Sequence, residues 1–513
     1  MLLPLSALAS VLLGTASAFE YYTFDGPGSP SCHNVVEVHN ATSVNEMVSL
    51  VKDAASRGLQ VRAGGRGHMW YDTQCSDDAT VIIRTEFVNG ISDFDLEGGS
   101  VVVEGGVTFF QLAEYLHERG ANIGTGLVNW NITLGGSIAM GAHRTSLRED
   151  AVVVGGVLAL DIIDGNGNVR HIERDEGNED WLAASTSLGL LGIIARIKMQ
   201  IFPETKDVLN GDIYNLISPY LTANFWVSSS PTASILMKKT YILTQWWPSQ
   251  RKFHWRTYDI VPTNTSTQQG FQSTFSVTAL EAAAAVVLLN SGKISPIPNL
   301  AAEAIFFGLW EKPNFHDKVT DEAITEWPVY GWNYDVLIGG LYPGQKPEWE
   351  YGLKGYTLEL AFPVTRANEV LKRIRALFDA EEAKWMPMAS TYRSGINIKF
   401  GKAHFDLLGQ VTTGTADKQD WSKGAIMFDF PSFRPSLGDQ KRYNEAFYIN
   451  LANTLVDEFP CRPHWTKNTR DVFQRAVKNL DPSYLARFKA VRQKFDPKGI
   501  YRSVVGEIIG MYD

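Results

Sequence analysis

Two glycine-rich stretches constrain the fold of this chain more than any other feature. Residues 61–70 read VRAGGRGHMW, and residues 133–146 read TLGGSIAMGAHRTS. Because glycine has no Cβ, it allows positive φ angles and brings the backbone close to a ligand. Consecutive exposed N–H groups can also hold an anion such as a pyrophosphate. Residues 59–63 read as a short buried strand, so the first glycine turn lies at a strand end, where α/β sheets usually bind ligands.

Three polar side chains accompany the glycines. Arg66 adds a permanent positive charge, His68 follows the first turn with two ring nitrogens, and His143 closes the second stretch. No G-x-G-x-x-G sequence opens a helix with an acidic residue after it, so the pattern is not that of a Rossmann dinucleotide site. Two tight turns beside a core histidine are the alternative interpretation.

In this order and spacing, the two stretches resemble the FAD-linked oxidoreductases of the vanillyl-alcohol oxidase type. GRGHMW resembles the family's GxGHS turn, in which the histidine often carries the flavin through its 8α-methyl group; here Met69 replaces the usual serine. TLGGSIAMGAH resembles the T-x-GG-x(4)-G-x-H loop that runs along the flavin. The resemblance implies an FAD site formed by Gly64, Gly65, Arg66, Gly67, His68, Met69, Gly135, Gly136, Gly141, His143, Ile193 and Ile194.

Ile193 and Ile194 belong to a third segment, which resembles the family's flavin-lining strand. Residues 190–202 read LLGIIARIKMQIF, with Gly189 just before them, and predict a strand that presses on the flavin ring. The alternative is that both isoleucines are plain core residues.

The C-terminal region resembles the sugar-lactone oxidase branch of this family. Residues 462–467 read RPHWTK, and residues 495–503 read FDPKGIYRS. The resemblance implies hydride transfer from a CH–OH carbon to flavin N5. Lys467 would stabilise the negative charge that develops at flavin N1 and C2=O, and His464 would bind substrate or remove the hydroxyl proton. If residues 464–467 form a helical turn, the two side chains share a face. A solvated surface lysine is the alternative for Lys467.

A substrate-facing pair is expected at a second strand. The lactone-oxidase branch has E-x-R where this chain has Thr391-Tyr392-Arg393, so Arg393 fits the pattern and Thr391 departs from it. Glu359 is a substitute acid on another predicted strand, residues 356–362. Ordinary ion-pair roles remain open for Arg393 and Glu359.

The length and composition predict several domains in a soluble globular protein. A chain of 513 residues exceeds one ordinary core, and its net charge of −9 excludes a general attraction to nucleic acid. We expect an α+β fold: a two-lobed PCMH-type FAD-binding domain and an α+β substrate (cap) domain over an antiparallel sheet. The expected parts are a signal peptide (1–18), the FAD-binding domain (19–205), the cap (206–440) and a C-terminal helical segment that completes the flavin site (441–513).

Local patterns predict individual elements. Ser43 and Glu46 form a capping-box pattern before an apolar helix, and Asp164-Gly165-Asn166-Gly167 predicts a hairpin turn. Residues 152–163 and 404–408 predict strands. Residues 275–289 predict an apolar helix whose length and acidic Glu281 argue against a membrane span.

The N-terminus predicts secretion. Residues 1–18 contain a short apolar run that ends in Ala16-Ser17-Ala18, a small-x-small cleavage pattern. A secreted protein can form a disulfide; a Cys32–Cys75 bond would tie the N-terminal tail near the His68 turn and leave Cys461 free, and the pairing of the three cysteines stays open. N-glycosylation sequons occur at Asn40, Asn131 and Asn264, and we expect Asn131, beside the flavin loop, to be buried and bare.

These observations favour a secreted FAD-dependent oxidoreductase that oxidises a CH–OH group of an aldonolactone, alditol or saccharide. Its electron acceptor would be dioxygen, giving hydrogen peroxide, or another acceptor. A berberine-bridge-like oxidase of a secondary metabolite is the alternative; residues 120–146 lack the cysteine that a bicovalent flavin needs. A flavin-carrying protein without turnover is a third reading. No metal site, nucleic-acid partner or stable membrane insertion is expected.

Overall fold

The computed structural model describes residues 19–22, 26, 29–124, 126–127, 129–215, 238–273, 276–291, 297–342, 345–382, 395–411, 421–434 and 445–512. Two sheets form its N-terminal part. The first has the order β1-β2-β4-β3, and its β2, β3 and β4 are parallel. The second is antiparallel, with the order β5-β6-β10-β8-β9. Their strands are β1 Phe19–Tyr22, β2 Ser31–Asn40, β3 Gln60–Gly64, β4 Thr80–Arg84, β5 Ile91–Asp95, β6 Ser100–Glu104, β8 Val157–Ile163, β9 Val169–Glu173 and β10 Ile193–Gln200. A small pair joins β7 Ala121–Asn122 to β11 Phe202–Pro203.

An eight-stranded antiparallel sheet dominates the described part of the remaining chain. Its order is β19-β12-β14-β13-β23-β24-β22-β26. The strands are β12 Lys206–Asn215, β13 Tyr241–Trp247, β14 Lys252–Val261, β19 Val329–Trp332, β22 Glu359–Pro363, β23 Ile396–Gly401, β24 Ala425–Asp429 and β26 Arg462–Pro463. Shorter pairings involve β15 Gly270–Gln272, β16 Ser276–Val277, β17 Phe315–Asp317, β18 Ala323–Ile324, β20 Lys346–Pro347, β21 Lys354–Tyr356 and β25 Ser432–Arg434.

Helices cover the sheets and supply much of the apolar core. They are α1 Val44–Ser56, α2 Phe109–His117, α3 Leu134–Ala139, α4 Glu179–Ala184, α5 Ala279–Ser291, α6 Ile297–Glu311, α7 Asn333–Leu337, α8 Ala367–Glu382, α9 Glu445–Glu458, α10 Arg470–Ala476, α11 Pro482–Phe495 and α12 Val504–Ile508. The predicted α+β class over an antiparallel sheet is confirmed. The residue limits proposed for the domains stay a prediction.

Several local predictions match the structure. The Ser43 hydroxyl accepts from the Glu46 amide at 3.2 Å, so it caps α1 as expected. The Glu46 carboxylate instead accepts from the amide of Thr42, so only half of the capping box forms. The hairpin turn after β8 is present, and Gly167 there has φ +72°.

Two predicted strands are wrong or shortened. In the region of residues 152–163, Gly155 and Gly156 belong to a 3-10 turn, Val153–Gly156, and the strand begins only at Val157. Residues 404–408 form a loop because the Asp406 carboxylate accepts from the Thr186 hydroxyl at 2.9 Å and from the Gly409 amide. Hydrogen bonds to the Asp406 side chain thus take the place of the strand pairing that the apolar pattern suggested.

The C-terminal segment closes against the first glycine turn. The Val61 amide donates to the Ile500 carbonyl at 2.7 Å, and the buried Arg62 guanidinium donates to the Tyr501 carbonyl at 2.9 Å. Farther back, β26 pairs with β22 and brings the RPHWTK sequence to the edge of the large sheet. Residues distant in sequence therefore complete the same region. No helix in the described residues has the length and apolar character needed to cross a bilayer.

Candidate active site

The first glycine stretch forms an open turn at the end of β3. Gly67 has φ +77°, a conformation that favours glycine. The backbone N–H groups of Gly65, Arg66 and Gly67 donate to no acceptor within the described part of the chain. The Arg66 guanidinium pairs with Glu86 at 3.1 Å, which fixes a positive charge beside the turn. Unpaired N–H groups next to a cation are suited to phosphate oxygens.

The second glycine stretch forms α3 and packs against the end of β6. The Gly135 amide donates to the Gly105 carbonyl at 2.9 Å, and a Cβ on Gly135 would lie 2.9 Å from that same oxygen. Gly135 is therefore required by a close backbone contact within the protein. Gly136 differs, because a Cβ there would meet only the Thr133 hydroxyl, at 3.3 Å, and it faces open space.

A cavity of about 230 Å³ lies between these two stretches. Ten of the twelve residues predicted to bind FAD line it. They are Gly64, Gly65, Arg66, Gly67, His68, Met69, Gly135, Gly136, Ile193 and Ile194. Gly141 does not line the cavity; its φ of +64° shapes the turn after α3. His143 lines a different cavity, because its imidazole is held by Glu359.

The second cavity, of about 270 Å³, lies along the large sheet. The two cavities meet at five shared residues: His68, Ile132, Ala142, His464 and Thr466. A planar cofactor in the glycine-lined cavity could therefore present one edge to a substrate in the other. We refer to the first as the flavin cavity and to the second as the substrate cavity.

His68 stands at this junction. Its ring nitrogens both lie 3.0 Å from the Asn129 side-chain amide nitrogen. Burial, reinforced by the charge of Arg66, lowers the pKa of the His68 imidazole to about 3. The ring is therefore neutral at physiological pH, the state in which a histidine nitrogen can form a covalent bond.

Two lysines and two acids form a charged cluster in the wall of the substrate cavity. The Lys399 ammonium donates to Glu359 at 3.1 Å and to Asp429 at 2.9 Å. The Lys467 ammonium donates to the same two carboxylates at 2.7 Å and 3.1 Å. The sheet register explains the arrangement, because Glu359 of β22 lies directly opposite Asp429 of β24 and directly opposed residues share a face.

The charged groups of this cluster favour one another's ionised forms. Burial opposes the ionisation of Glu359, but Lys399, Lys467 and His143 outweigh it and hold the pKa of this carboxyl well below its usual value. Burial likewise opposes ionisation of Asp429, and the two lysines lower its pKa overall. Despite its own burial, Lys399 has a raised pKa because Asp429 and Glu359 favour the ammonium form. Both carboxyl groups are therefore ionised at neutral pH.

Two histidines extend the cluster toward the flavin cavity. His143 Nδ1 faces the Arg144 carbonyl at 3.0 Å, and Nε2 lies 2.5 Å from Glu359 Oε1. Because the Glu359 carboxylate is ionised and can only accept, the His143 Nε2–H donates in this contact. The His464 ring lies beside His143, with 5.3 Å between ring centroids.

His464 has a defined tautomer. Its Nδ1 accepts from the Thr466 amide at 3.2 Å, so the neutral ring carries its hydrogen on Nε2. Burial is the main cause of a pKa well below the usual value, so the ring stays neutral. His464 is therefore arranged to donate a hydrogen bond into the cavity; the proton-acceptor role expected from the sequence would need the opposite tautomer.

Lys467 lines the substrate cavity and not the flavin cavity, and its predicted role toward the flavin stays a prediction. Residues 464–467 form a turn, in which the Lys467 amide donates to the His464 carbonyl at 3.1 Å, and not the helical turn expected. Both side chains nevertheless line the same cavity, as predicted. Glu359, the substitute acid, is fully buried at the centre of the cluster. Arg393 lies outside the described residues.

Lys399 and Asp429 were missed from the sequence. Each stands as a charged residue in an otherwise apolar strand, in INIKFG and AIMFD. A charge in a buried strand is costly unless it is paired, and that cost is the signal that could have identified both.

Among the described residues, His143, Glu359 and His464 offer atoms within 4.8 Å of one another. Such a group could hold a metal ion in principle. Two lysine ammonium groups already donate to Glu359, so a further cation is disfavoured there.

The flavin cavity fits FAD. Glycine backbone from the two turns forms part of its wall, and Ile193 and Ile194, adjacent on β10 and both buried in the core, lie at its other side. Unpaired N–H groups at the first turn match the pyrophosphate, and the five junction residues leave one edge open toward the substrate cavity.

Comparison with known proteins agrees with this geometry. Residues 37–173 match the FAD binding domain family, and residues 352–506 match the D-arabinono-1,4-lactone oxidase family. L-gulonolactone oxidase 3 of Arabidopsis thaliana is 25% identical over 93% of this chain and 81% of its own length. L-gulonolactone oxidase of Bos taurus is 21% identical over 90% of this chain and 92% of its own length.

Solved structures show the same fold. A solvent-stable cholesterol oxidase superposes with a TM-score of 0.70 at 17% identity, over 96% of this chain and 97% of its own. The 6-hydroxy-D-nicotine oxidase of Arthrobacter nicotinovorans gives 0.56 at 13% identity, over 91% and 90%. The chain is therefore an FAD-dependent oxidoreductase with a PCMH-type FAD-binding fold, and its C-terminal part is similar to the sugar-lactone oxidases.

Proposed function

We propose that this enzyme oxidises a CH–OH group of a sugar-like substrate, namely an aldonolactone, an alditol or a saccharide. The observation that carries the proposal is the junction of the two cavities at His464 and Thr466, directly beside the charged cluster. The site for an electron acceptor thus opens into a cavity whose wall can donate and accept protons. The names of the lactone-oxidase relatives support the substrate class.

The residues of the cluster have separate parts in the reaction. FAD, when bound, accepts the hydride that leaves the substrate carbon. The His464 Nε2–H and the Lys467 ammonium donate hydrogen bonds to the substrate oxygen and fix its position. Asp429, the carboxylate of the cluster that lines the cavity, accepts the hydroxyl proton as the C=O bond forms. Glu359 keeps His143 and both lysines in place.

The test is an Asp429→Asn enzyme. The amide keeps the shape of the side chain but cannot accept the proton. We expect full FAD content and anaerobic flavin reduction slower by about 10²–10⁴-fold, measured by stopped flow with the best substrate from a lactone, alditol and saccharide panel. Asp259→Asn, on β14 of the same sheet, with β13 and β23 between it and β24, and paired with Lys239, is the matched control. An Asp429→Asn enzyme that reduces its flavin at the parent rate would contradict the assignment.

We also propose that His68 carries FAD covalently and that dioxygen is the electron acceptor. The His68 ring is neutral and stands at the cavity junction, where the flavin ring would lie. After acid precipitation, a covalent flavin stays in the protein pellet and none is released to the supernatant. Steady-state turnover in air should produce one hydrogen peroxide per substrate oxidised; turnover only with an artificial acceptor would exclude the oxidase assignment.

Secretion is a further part of the proposal. A disulfide joins Cys32 to Cys75, which suits an oxidising compartment; Cys461 is buried outside any disulfide of the described chain. The sequons at Asn40 and Asn264 are exposed, whereas Asn131 is half-buried. N-terminal sequencing of protein from the culture medium should start at Phe19. Recovery only from cell extract, with residues 1–18 intact, would contradict secretion.

A further inference from the structure

The geometry points to an amphipathic substrate: a sugar-like head that carries the reacting CH–OH group, joined to an apolar substituent. This inference rests on the proposed function and adds the part of the substrate that does not react. Its basis is that the side chains lining the substrate cavity change from charged at one end to mainly apolar at the other.

One end of that wall is charged and polar. Glu359 and Asp429 lie opposite each other on β22 and β24, and Asp429 lies opposite Asn397 on β23. Asn397 and Lys399 are two residues apart on that strand, so their side chains share the face. This end adjoins His464 and the flavin cavity.

Over the next two strands, the side chains of this face that line the cavity are mainly apolar, whereas Arg256 of β14 lies opposite Leu243 and does not line the cavity. Gln245 of β13 lies opposite Asn397, and Leu243 and Tyr241 follow at alternate positions on the same face. Tyr258 of β14 lies opposite Tyr241. Leu243, Tyr241 and Tyr258 all line the cavity. Four strand-to-strand steps separate β22 from β14, so the wall extends over about 19 Å at about 4.8 Å per step.

Tyr241 offers the cavity its ring rather than its hydroxyl group. The Tyr241 hydroxyl donates to the Gly124 carbonyl and accepts from Arg144. Because this polar atom is already engaged by protein, what remains of Tyr241 for a ligand is aromatic surface. Tyr258 adds a second ring to the same wall.

The opposite walls at this end combine apolar side chains with the polar Gln272, Ser273 and Asn314. Trp310 ends α6 and carries the Arg256 guanidinium 4.3 Å from its ring centroid, and α7 contributes Val336 and Leu337. A sugar ring at the charged end would leave these side chains facing water. An apolar substituent would cover them, and each buried methylene strengthens binding about three- to fourfold.

Alkyl β-D-glucosides test the inference, because methyl, butyl, hexyl and octyl members share one head. We would titrate the FAD-loaded enzyme below the micellar concentrations, follow the flavin absorbance for Kd, and record anaerobic bleaching separately. We expect Kd to fall about threefold per added CH₂ until the tail fills the cavity. Free alkanols, which lack the head, should bind at least tenfold more weakly than the matching glucoside.

Two variants show where the apolar substituent binds. Leu243→Gln should leave binding of the methyl glucoside unchanged and reduce the gain from methyl to octyl at least tenfold. Leu280→Gln, the same change at an exposed surface leucine, is the matched control. FAD content and the circular dichroism spectrum verify folding of both proteins.

The outcomes separate this inference from the proposed function. Equal Kd values for the methyl and octyl compounds would overturn the inference, even if both bleach the flavin and so support the reaction. A dependence on chain length without bleaching by any CH–OH donor would support the apolar subsite and contradict the proposed reaction. A chain-length dependence that Leu243→Gln leaves intact would place the tail elsewhere and overturn the assignment of this wall.

Discussion

The two cavities differ in what the chain uses to build them. The lining of the flavin cavity includes seven glycines, which expose their backbone, whereas the lining of the substrate cavity includes two. The substrate cavity is formed by side chains that project from a broad antiparallel sheet and from the turn after β26. Backbone supplies N–H groups and close approach, which bind a large common cofactor, whereas side chains supply the charge and shape that select and convert a substrate.

The variant with the largest expected effect tests the contribution of glycine backbone to the flavin cavity. Gly136→Val should abolish FAD binding, because the space open to its Cβ is the flavin cavity itself. The protein should remain folded. We would measure the ratio of flavin absorbance to protein absorbance, and the circular dichroism spectrum.

The exposed Gly177, where a Cβ meets only Asp175 at 3.3 Å, provides the control Gly177→Val. A Gly136→Val protein with full flavin content would mean that the cofactor does not approach this turn. Gly135→Val is a poorer test, because its clash with Gly105 would disturb the fold whether or not FAD binds there.

This contrast also explains what the sequence could predict. The glycine stretches encode a local backbone shape within a few residues, so ten of the twelve residues proposed to bind FAD line one cavity, and their contact with FAD stays a prediction. The charged cluster depends on the register of β22, β23 and β24, which are far apart in sequence. Glu359 and Lys467 were identified singly, but their direct pairing, and the contribution of Lys399, could not be deduced without that register.

The prediction for His143 shows the same limit of reasoning from sequence alone. It ends a flavin-loop motif, and the motif alone placed it at the cofactor. Its imidazole contacts Glu359, 216 residues away, because the turn after α3 directs the side chain to the other cavity.

The variant with the next largest expected effect tests the contribution of charged side chains to the substrate cavity. In Lys467→Met, Glu359 and Asp429 keep Lys399 but lose their second lysine. We expect FAD to stay bound and anaerobic flavin reduction at neutral pH to slow by about 10²-fold. The pKa of Asp429 should rise, so the acid limb of the rate profile should move to higher pH.

Lys402→Met, at an exposed lysine that pairs with Asp150 at 3.5 Å, is the control. An unchanged rate and an unchanged acid limb in Lys467→Met would show that Lys399 alone maintains the cluster. Loss of FAD would instead give Lys467 a role in cofactor binding.

A smaller effect is expected from removal of the disulfide beside the flavin cavity. The Cys32–Cys75 disulfide closes a loop with a sequence separation of 43, and Cys32 lines the cavity. Replacing both cysteines by serine should lower the free energy of unfolding by about 2–4 kcal/mol. Chemical denaturation of the FAD-loaded protein would measure the loss. An unchanged unfolding midpoint would show that packing alone holds β2 in place.

The smallest effect is a dependence of stability on acid. Glu359 and Asp429 have lowered pKa values in the folded protein, so their stabilising contribution is complete above the ordinary carboxyl pKa of about 4 and is lost as pH falls through the folded values. We expect the parent to lose on the order of 2 kcal/mol more stability between pH 5 and pH 3 than Glu359→Gln does. Parallel pH profiles for the two proteins would contradict the pKa assignment.

The central claim is that flavin and substrate meet at the junction of the two cavities. The most direct measurement is a crystal structure of the FAD-loaded enzyme with a bound substrate analogue. We predict the flavin ring between His68 and His464, against Ile132 and Ala142, with an analogue oxygen within hydrogen-bond distance of Lys467 Nζ or His464 Nε2. A flavin ring outside this junction, or an analogue bound away from the charged cluster, would contradict the account.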